Sequence, residues 1–101
     1  AMAVKCTGED RVLTAQVSGE VDHHGAREIM GELERNIETS LPRVLELDLG
    51  GVTFMDSSGI AVLLRAYRRL GALGGEVRVH NVPPQAARVL RAAGLDKLIR
   101  F

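Results

Sequence analysis

Apolar and polar positions divide the chain into seven segments with turn residues between them. Met2–Cys6 and Val12–Ser18 read as two short strands, and Thr7-Gly8-Glu9-Asp10 supplies turn residues that predict a hairpin joining them. Gly19 is expected to break the second strand. Ala26, Ile29, Met30, Leu33 and Ile37 then recur at i, i+3, i+4, i+7 and i+11, the single stripe of an amphipathic helix over about 23–39. Asp22 is its predicted N-cap, and Pro42 lies beyond its end. Val44–Leu49 is an aliphatic-rich strand, followed by Gly50-Gly51 and by Val52–Met55, which fits either loop or extended chain.

Ile60, Leu63, Leu64, Tyr67 and Leu70 mark a second helix. Ala61 and Val62 widen its apolar arc, so it is expected to be mostly buried, with Arg65, Arg68 and Arg69 on the solvated side. Gly71 and Gly74-Gly75 are its predicted stop. Glu76–His80 alternates as a fourth strand. Pro83-Pro84 opens a helix with Ala86, Val89, Leu90 and Ala93 as its stripe and Gly94 as its end. Leu95–Phe101 is short and is expected to pack Leu95, Leu98 and Ile99 onto the core.

The order β-β-α-β-α-β-α predicts an α/β fold. Strands joined through helices pair in parallel, and the hairpin adds an antiparallel edge. In such sheets sites gather where strand C-termini feed helix N-termini. Two segments fall there, Gly19-Glu20-Val21-Asp22-His23-His24 and Phe54-Met55-Asp56-Ser57-Ser58-Gly59, and both loops should emerge on the same edge.

Composition narrows the function classes. A chain of 101 residues buries about 65% of its unfolded surface on folding, enough for a core without disulfide or metal. Thirteen basic residues balance thirteen acidic ones, so no net field draws nucleic acid or an anionic membrane. Aromatics at 3% give no base-stacking platform. The single cysteine, Cys6, makes no internal bridge, and no Cys/His cluster has zinc spacing. No apolar run approaches a membrane span or a secretory signal. The expectation is one cytoplasmic domain over 2–101, monomeric by default, with Ala1 ahead of Met2 a cloning remnant.

Asp56-Ser57-Ser58 precedes an otherwise apolar helix. Capping by Asp56 or Ser57 is the plain explanation. A helix N-terminus also offers unpaired N–H groups and a partial positive charge, so a serine there suits a phosphate-binding group, a nucleophile or a phosphorylation target. Nucleotide loops of the G-x-x-x-x-G-K-[ST] or G-x-G-x-x-G kind are absent. A nucleophile elbow, G-x-S-x-G, has Met55 in its first glycine position, although His23 and His24 are available as bases. Phosphorylation asks only for an exposed hydroxyl and a surface where a dianion alters binding. A metal at His23-His24 is disfavoured because adjacent helical residues diverge by about 100°, and His80 ends a different strand.

The two loops together, with Gly74-Gly75-Glu76 and the Gly94-Leu95 to Ile99-Arg100-Phe101 stretch, resemble the STAS-domain anti-sigma factor antagonists, closest to the stage II sporulation protein AA type. The resemblance covers essentially the whole chain. Many relatives continue into a further helical segment past the position of Phe101, which is where the pattern departs. The resemblance implies a STAS fold, with a mixed four- to five-stranded sheet, an N-terminal antiparallel hairpin and about four helices. It implies a non-enzymatic protein without cofactor or metal, serving partner switching in sigma-factor regulation. Its expected partners are an anti-sigma factor that is also an ATP-using serine kinase, and a PP2C-type phosphatase. By the same matching Ser57 is the phosphorylated serine, and Asp22, His23, Asp56, Ser58 and Gly59 frame the docking face. The alternatives are a STAS module sensing a nucleotide or small anion at these loops, and a small serine hydrolase.

Overall fold

A computed structural model of the chain describes residues 2–101. Its elements are β1 (Ala3–Glu9), β2 (Val12–Val21), α1 (His23–Ser40), β3 (Val44–Met55), α2 (Ser58–Ala72), β4 (Glu76–His80), α3 (Pro84–Ala92) and a closing 3-10 turn, Leu95–Lys97. Among the described residues the sheet has four strands in the order β1-β2-β3-β4. β1 and β2 are antiparallel, and β2–β3 and β3–β4 are parallel. The sheet thus has the lower of the two expected strand counts, and the fourth expected helix is a single 3-10 turn.

The hairpin turn lies later than predicted. Glu9 pairs with Val12, so the turn is Asp10-Arg11, both with positive φ (53° and 64°), the two-residue geometry that matches strand twist. Arg11 offsets the strain of a non-glycine turn: its guanidinium donates to the Leu41 carbonyl at 2.9 and 3.2 Å, tying the hairpin to the end of α1.

Gly19 does not end β2. The strand runs on to Val21, with register shifts against β3 between Gln16 and Ser18 and between Gly19 and Glu20. Gly19 has φ 88°, so it is a bulge residue, and pairing resumes beyond it. Val52–Met55 is accordingly strand, paired with Gly19–Val21.

One face of the sheet carries the core. Leu13, Ala15 and Val17 of β2, Leu45, Leu47 and Leu49 of β3, and Val77 and Val79 of β4 alternate inward against the helices. Along α1 the predicted stripe is buried at Ala26, Ile29, Leu33 and Ile37. On α2 the buried stripe is Val62, Leu63, Ala66 and Leu70, and Tyr67 is 39% exposed, so the helix is rotated from the predicted face and only one side of it is covered. Leu95 and Ile99 are buried as expected; Leu98, at 50% exposure, is not. Salt bridges from Arg65 and Arg69 to Glu34, at 3.6 and 4.0 Å, span α1 and α2, which lie side by side.

The opposite face is polar and open, with Thr14, Gln16, Glu46, Asp48, Arg78 and His80 outward. Here Arg78 bridges Glu76 at 2.7 Å and Glu46 at 3.4 Å, and its pKa is raised, chiefly by the Glu76 hydrogen bond. Parallel strands usually read as continuous apolar runs because helices cover both faces. In this chain they alternate because only one face is covered.

Candidate functional site

Both conspicuous loops leave the sheet side by side. Val21 and Met55 end their strands as register partners, and the Asp56 N–H donates to the Val21 carbonyl at 3.1 Å. All six residues singled out from the sequence therefore lie on one edge.

In the first loop Asp22 is the N-cap of α1, half-buried, its Oδ1 accepting from Gly25 N–H at 2.8 Å. His23 and His24 follow, both exposed. His24 reaches Glu28 at 3.3 Å, an i,i+4 surface pair. His80 lies on the polar sheet face against Glu46, away from this edge. The described residues contain no group of three or more His, Cys, Asp or Glu placed to hold a metal ion.

In the second loop the two serines differ. Ser57 is formally the N-cap residue of α2 but has helical φ,ψ (−60°, −17°) and makes no side-chain cap hydrogen bond. Asp56 does that work instead, its Oδ1 accepting from Ser58 N–H at 2.8 Å in the manner of an Asx turn. The Ser57 side chain is exposed, while Ser58 is half-buried. Ser58 lines an open groove of about 420 Å³ between α1 and α2, with His23, Ala26, Met30, Ala61 and Arg65. Gly59 is buried against the Met55 side chain.

The expectation of free amide donors at this helix end is not met. Ser58 N–H goes to Asp56 Oδ1, Gly59 N–H to the Asp56 carbonyl at 3.0 Å, and Ile60 N–H to the Ser57 carbonyl at 3.1 Å. These three donors are taken within the turn, which leaves less for a bound anion than the sequence suggested. What the edge presents is an exposed hydroxyl with a carboxylate beside it, a half-buried second hydroxyl, an imidazole, and Phe54 at 44% exposure. That mixture of an exposed aromatic and a polar rim suits contact with a protein.

The sequence did not point to Gln85. Its side-chain amide accepts from Met55 N–H at 2.8 Å and donates to the Met55 carbonyl at 2.7 Å. Nothing in periodicity marks it, since it sits at a non-stripe position of a short helix; only the pairing deficit at the end of β3 could have asked for it.

The STAS domain family matches residues 3–101. An anti-sigma F factor antagonist of Paenibacillus polymyxa is 35% identical over 88 residues, which is 87% of this chain and 75% of that protein. An anti-sigma factor antagonist from Mycobacterium paratuberculosis superposes with a TM-score of 0.87 at 29% identity, covering 99% of this chain and 84% of that one. SpoIIAA in its unphosphorylated form gives a TM-score of 0.84 at 26% identity, covering 96% of this chain and 85% of that one. The phosphorylated form of the Bacillus protein gives 0.75 at the same identity, covering 96% and 88%.

Proposed function

The chain belongs to the STAS domain family, and from that premise we propose that it is an anti-sigma factor antagonist switched off by phosphorylation of Ser57. The unmodified protein binds an anti-sigma factor through the Asp22-His23 and Asp56–Gly59 turns, and the sigma factor held by that partner is released. The partner is also a serine kinase. Ser57 Oγ attacks the γ-phosphorus of its ATP, the bond to the leaving ADP oxygen breaks, and the hydroxyl proton passes to a base of the kinase. A PP2C-type phosphatase hydrolyses the ester and restores the binding form.

The observation that carries this reading is the division of labour between Asp56 and Ser57. Asp56 caps the helix, so the Ser57 hydroxyl is exposed and has no cap hydrogen bond. It can be modified without breaking a cap hydrogen bond. A dianion at the start of α2 gains about 0.3–1 kcal/mol from the helix end. In a packed interface the same charge is costly through desolvation and repulsion. A loss of about 2–4 kcal/mol there weakens binding roughly 30- to 1,000-fold.

The test uses a cognate anti-sigma kinase, ATP and mass spectrometry. Wild type should gain about 80 Da, one phosphoryl group, and Ser57→Ala should gain nothing yet bind normally by titration calorimetry. Ser57→Asp should stay folded and bind poorly. Phosphorylation of Ser57→Ala at the wild-type rate would remove the site assignment, and full affinity in Ser57→Asp would remove the charge mechanism.

A further inference from the structure

β4 pairs with β3 only as far as Asp48↔His80, yet β3 continues to Met55. β2 holds one side of that extension, through Val21↔Met55. On the other side a side chain stands where a strand would. The Met55 N–H donates to Gln85 Oε1 and the Gln85 Nε2 donates to the Met55 carbonyl, at 2.8 and 2.7 Å, both half-buried. A primary amide carries one acceptor and a donor on the same planar group, as a peptide unit does, so Gln85 serves as a one-residue strand partner. It is itself fixed, because α3 is seated by Ala86, Ala87 and Leu90.

The consequence falls on the next residues. Asp56 N–H is held by the Val21 carbonyl, and the Met55 side chain, 1% exposed, abuts the Gly59 backbone. The turn carrying Ser57 therefore hangs between a backbone point fixed from both sides and a helix start fixed by the same methionine. We infer that Gln85 is a positioning residue for phosphoryl transfer to Ser57, acting through the Met55 backbone; this role rests on the proposed reading of Ser57.

Without Gln85 the Met55 amide loses both bonds on that side, and the turn departs from a looser anchor. Transfer needs the acceptor oxygen held near line with the leaving group, where a displacement of about 1 Å costs up to about 100-fold. Affinity is spread over the whole docking face and is much less sensitive.

Gln85→Met is close in size and has neither polar atom; Gln85→Glu keeps an acceptor and loses the donor to the Met55 carbonyl. Each is compared with wild type for maximal rate of Ser57 phosphorylation, affinity for the ADP-bound kinase, and Met55 amide exchange by NMR. The expected result for Gln85→Met is a rate about tenfold lower, affinity within about threefold, and faster Met55 exchange. Gln85→Glu should lie on the same side of wild type. An unchanged rate despite faster Met55 exchange would overturn the positioning role, leaving a structural contact only. Rate and affinity falling in parallel would overturn it too, in favour of general destabilisation. A wild-type protein that the kinase does not modify at Ser57 would end the reading and this role together, while the exchange data alone would still tell whether Gln85 holds Met55.

Discussion

Gly59→Ala sets helix propensity against packing, and the two predict opposite signs. Gly59 is the second residue of α2, in its first turn, where alanine keeps at most the about 1 kcal/mol it holds over glycine in a helix interior. On propensity alone the variant should melt higher. A Cβ at this position, however, would stand 2.5 Å from Sδ, 2.6 Å from Cγ and 3.0 Å from Cε of Met55, well inside van der Waals contact. Met55 has little room to retreat: it is 1% exposed. The cavity it shares with Val21, Ile29, Leu49 and Val62 is about 10 Å³, no more than one water requires. Overfilling a packed core costs about 1–3 kcal/mol. Net of propensity we expect a loss of about 1 kcal/mol, and for a domain of this size a melting temperature about 4–8 °C lower. Differential scanning calorimetry reads the shift, and a double-mutant cycle with Met55→Ala reads the cause. Met55→Ala alone should cost about 2–5 kcal/mol. The added methyl then occupies part of the vacated space, so the double variant should be more stable than the sum by about 1 kcal/mol or more. A melting temperature at or above wild type for Gly59→Ala, or simple additivity in the cycle, would refute the packing argument.

Further expectations bear on the caps, the serines and the cysteine. Asp22→Ala removes the acceptor for Gly25 N–H and should cost about 1 kcal/mol in urea unfolding, with Asp22→Asn recovering most of it. Ser57→Asp breaks no hydrogen bond of the cap and should melt within about 4 °C of wild type. Ser58→Asp brings a charge into the half-buried groove position and should melt clearly lower; equal melting of the two would contradict the assigned exposures. Burial, and to a lesser degree Glu32, raises the Cys6 thiol above its ordinary value near 9. At pH 8 its reaction with a disulfide reagent should be slower in the folded protein than after unfolding, and the folded rate should climb as pH rises past 9.

Most of the architecture was legible because apolar periodicity in this chain is clean. The stripe from Ala26 to Ile37 and the alternation of Glu76–His80 gave α1 and β4 nearly to the residue, and Asp22 gave the cap. What failed were places where a glycine or a turn admits two conformations. Gly19 has the composition of a strand end, but only tertiary pairing with the extended tail of β3 makes it a bulge. Asp10-Arg11 is a turn without glycine, held from 30 residues away by the Leu41 carbonyl. Leu98 fits a core pattern, yet the 3-10 turn at Leu95–Lys97 resets the phase and turns it outward. At the candidate site, residue types located the edge. They did not tell Asp56 from Ser57 as the cap, and they gave no hint that Gln85 completes β3. Both are decided by distances that a linear pattern does not contain.

On the proposed reading, those distances also explain how one added group acts on binding and spares the fold. The Asp56 carboxylate accepts from Ser58 N–H. On the proposed reading, a phosphoryl dianion on Ser57 meets that carboxylate and the favourable end of α2 at once. A dianion and a unit charge 4 Å apart repel by about 2 kcal/mol in water, of which the helix end returns roughly 0.3–1 kcal/mol. In the free protein, where Ser57 is exposed, the net cost is about 1–2 kcal/mol before salt screening reduces it. When a docked partner excludes water and the effective dielectric falls to about 20, the same repulsion rises about fourfold. On this reading the discrimination arises from water exclusion at the interface, with no need for a second conformation of the antagonist. A phosphorylated form that kept its affinity at low ionic strength would contradict this account, because low salt is where the repulsion is least screened.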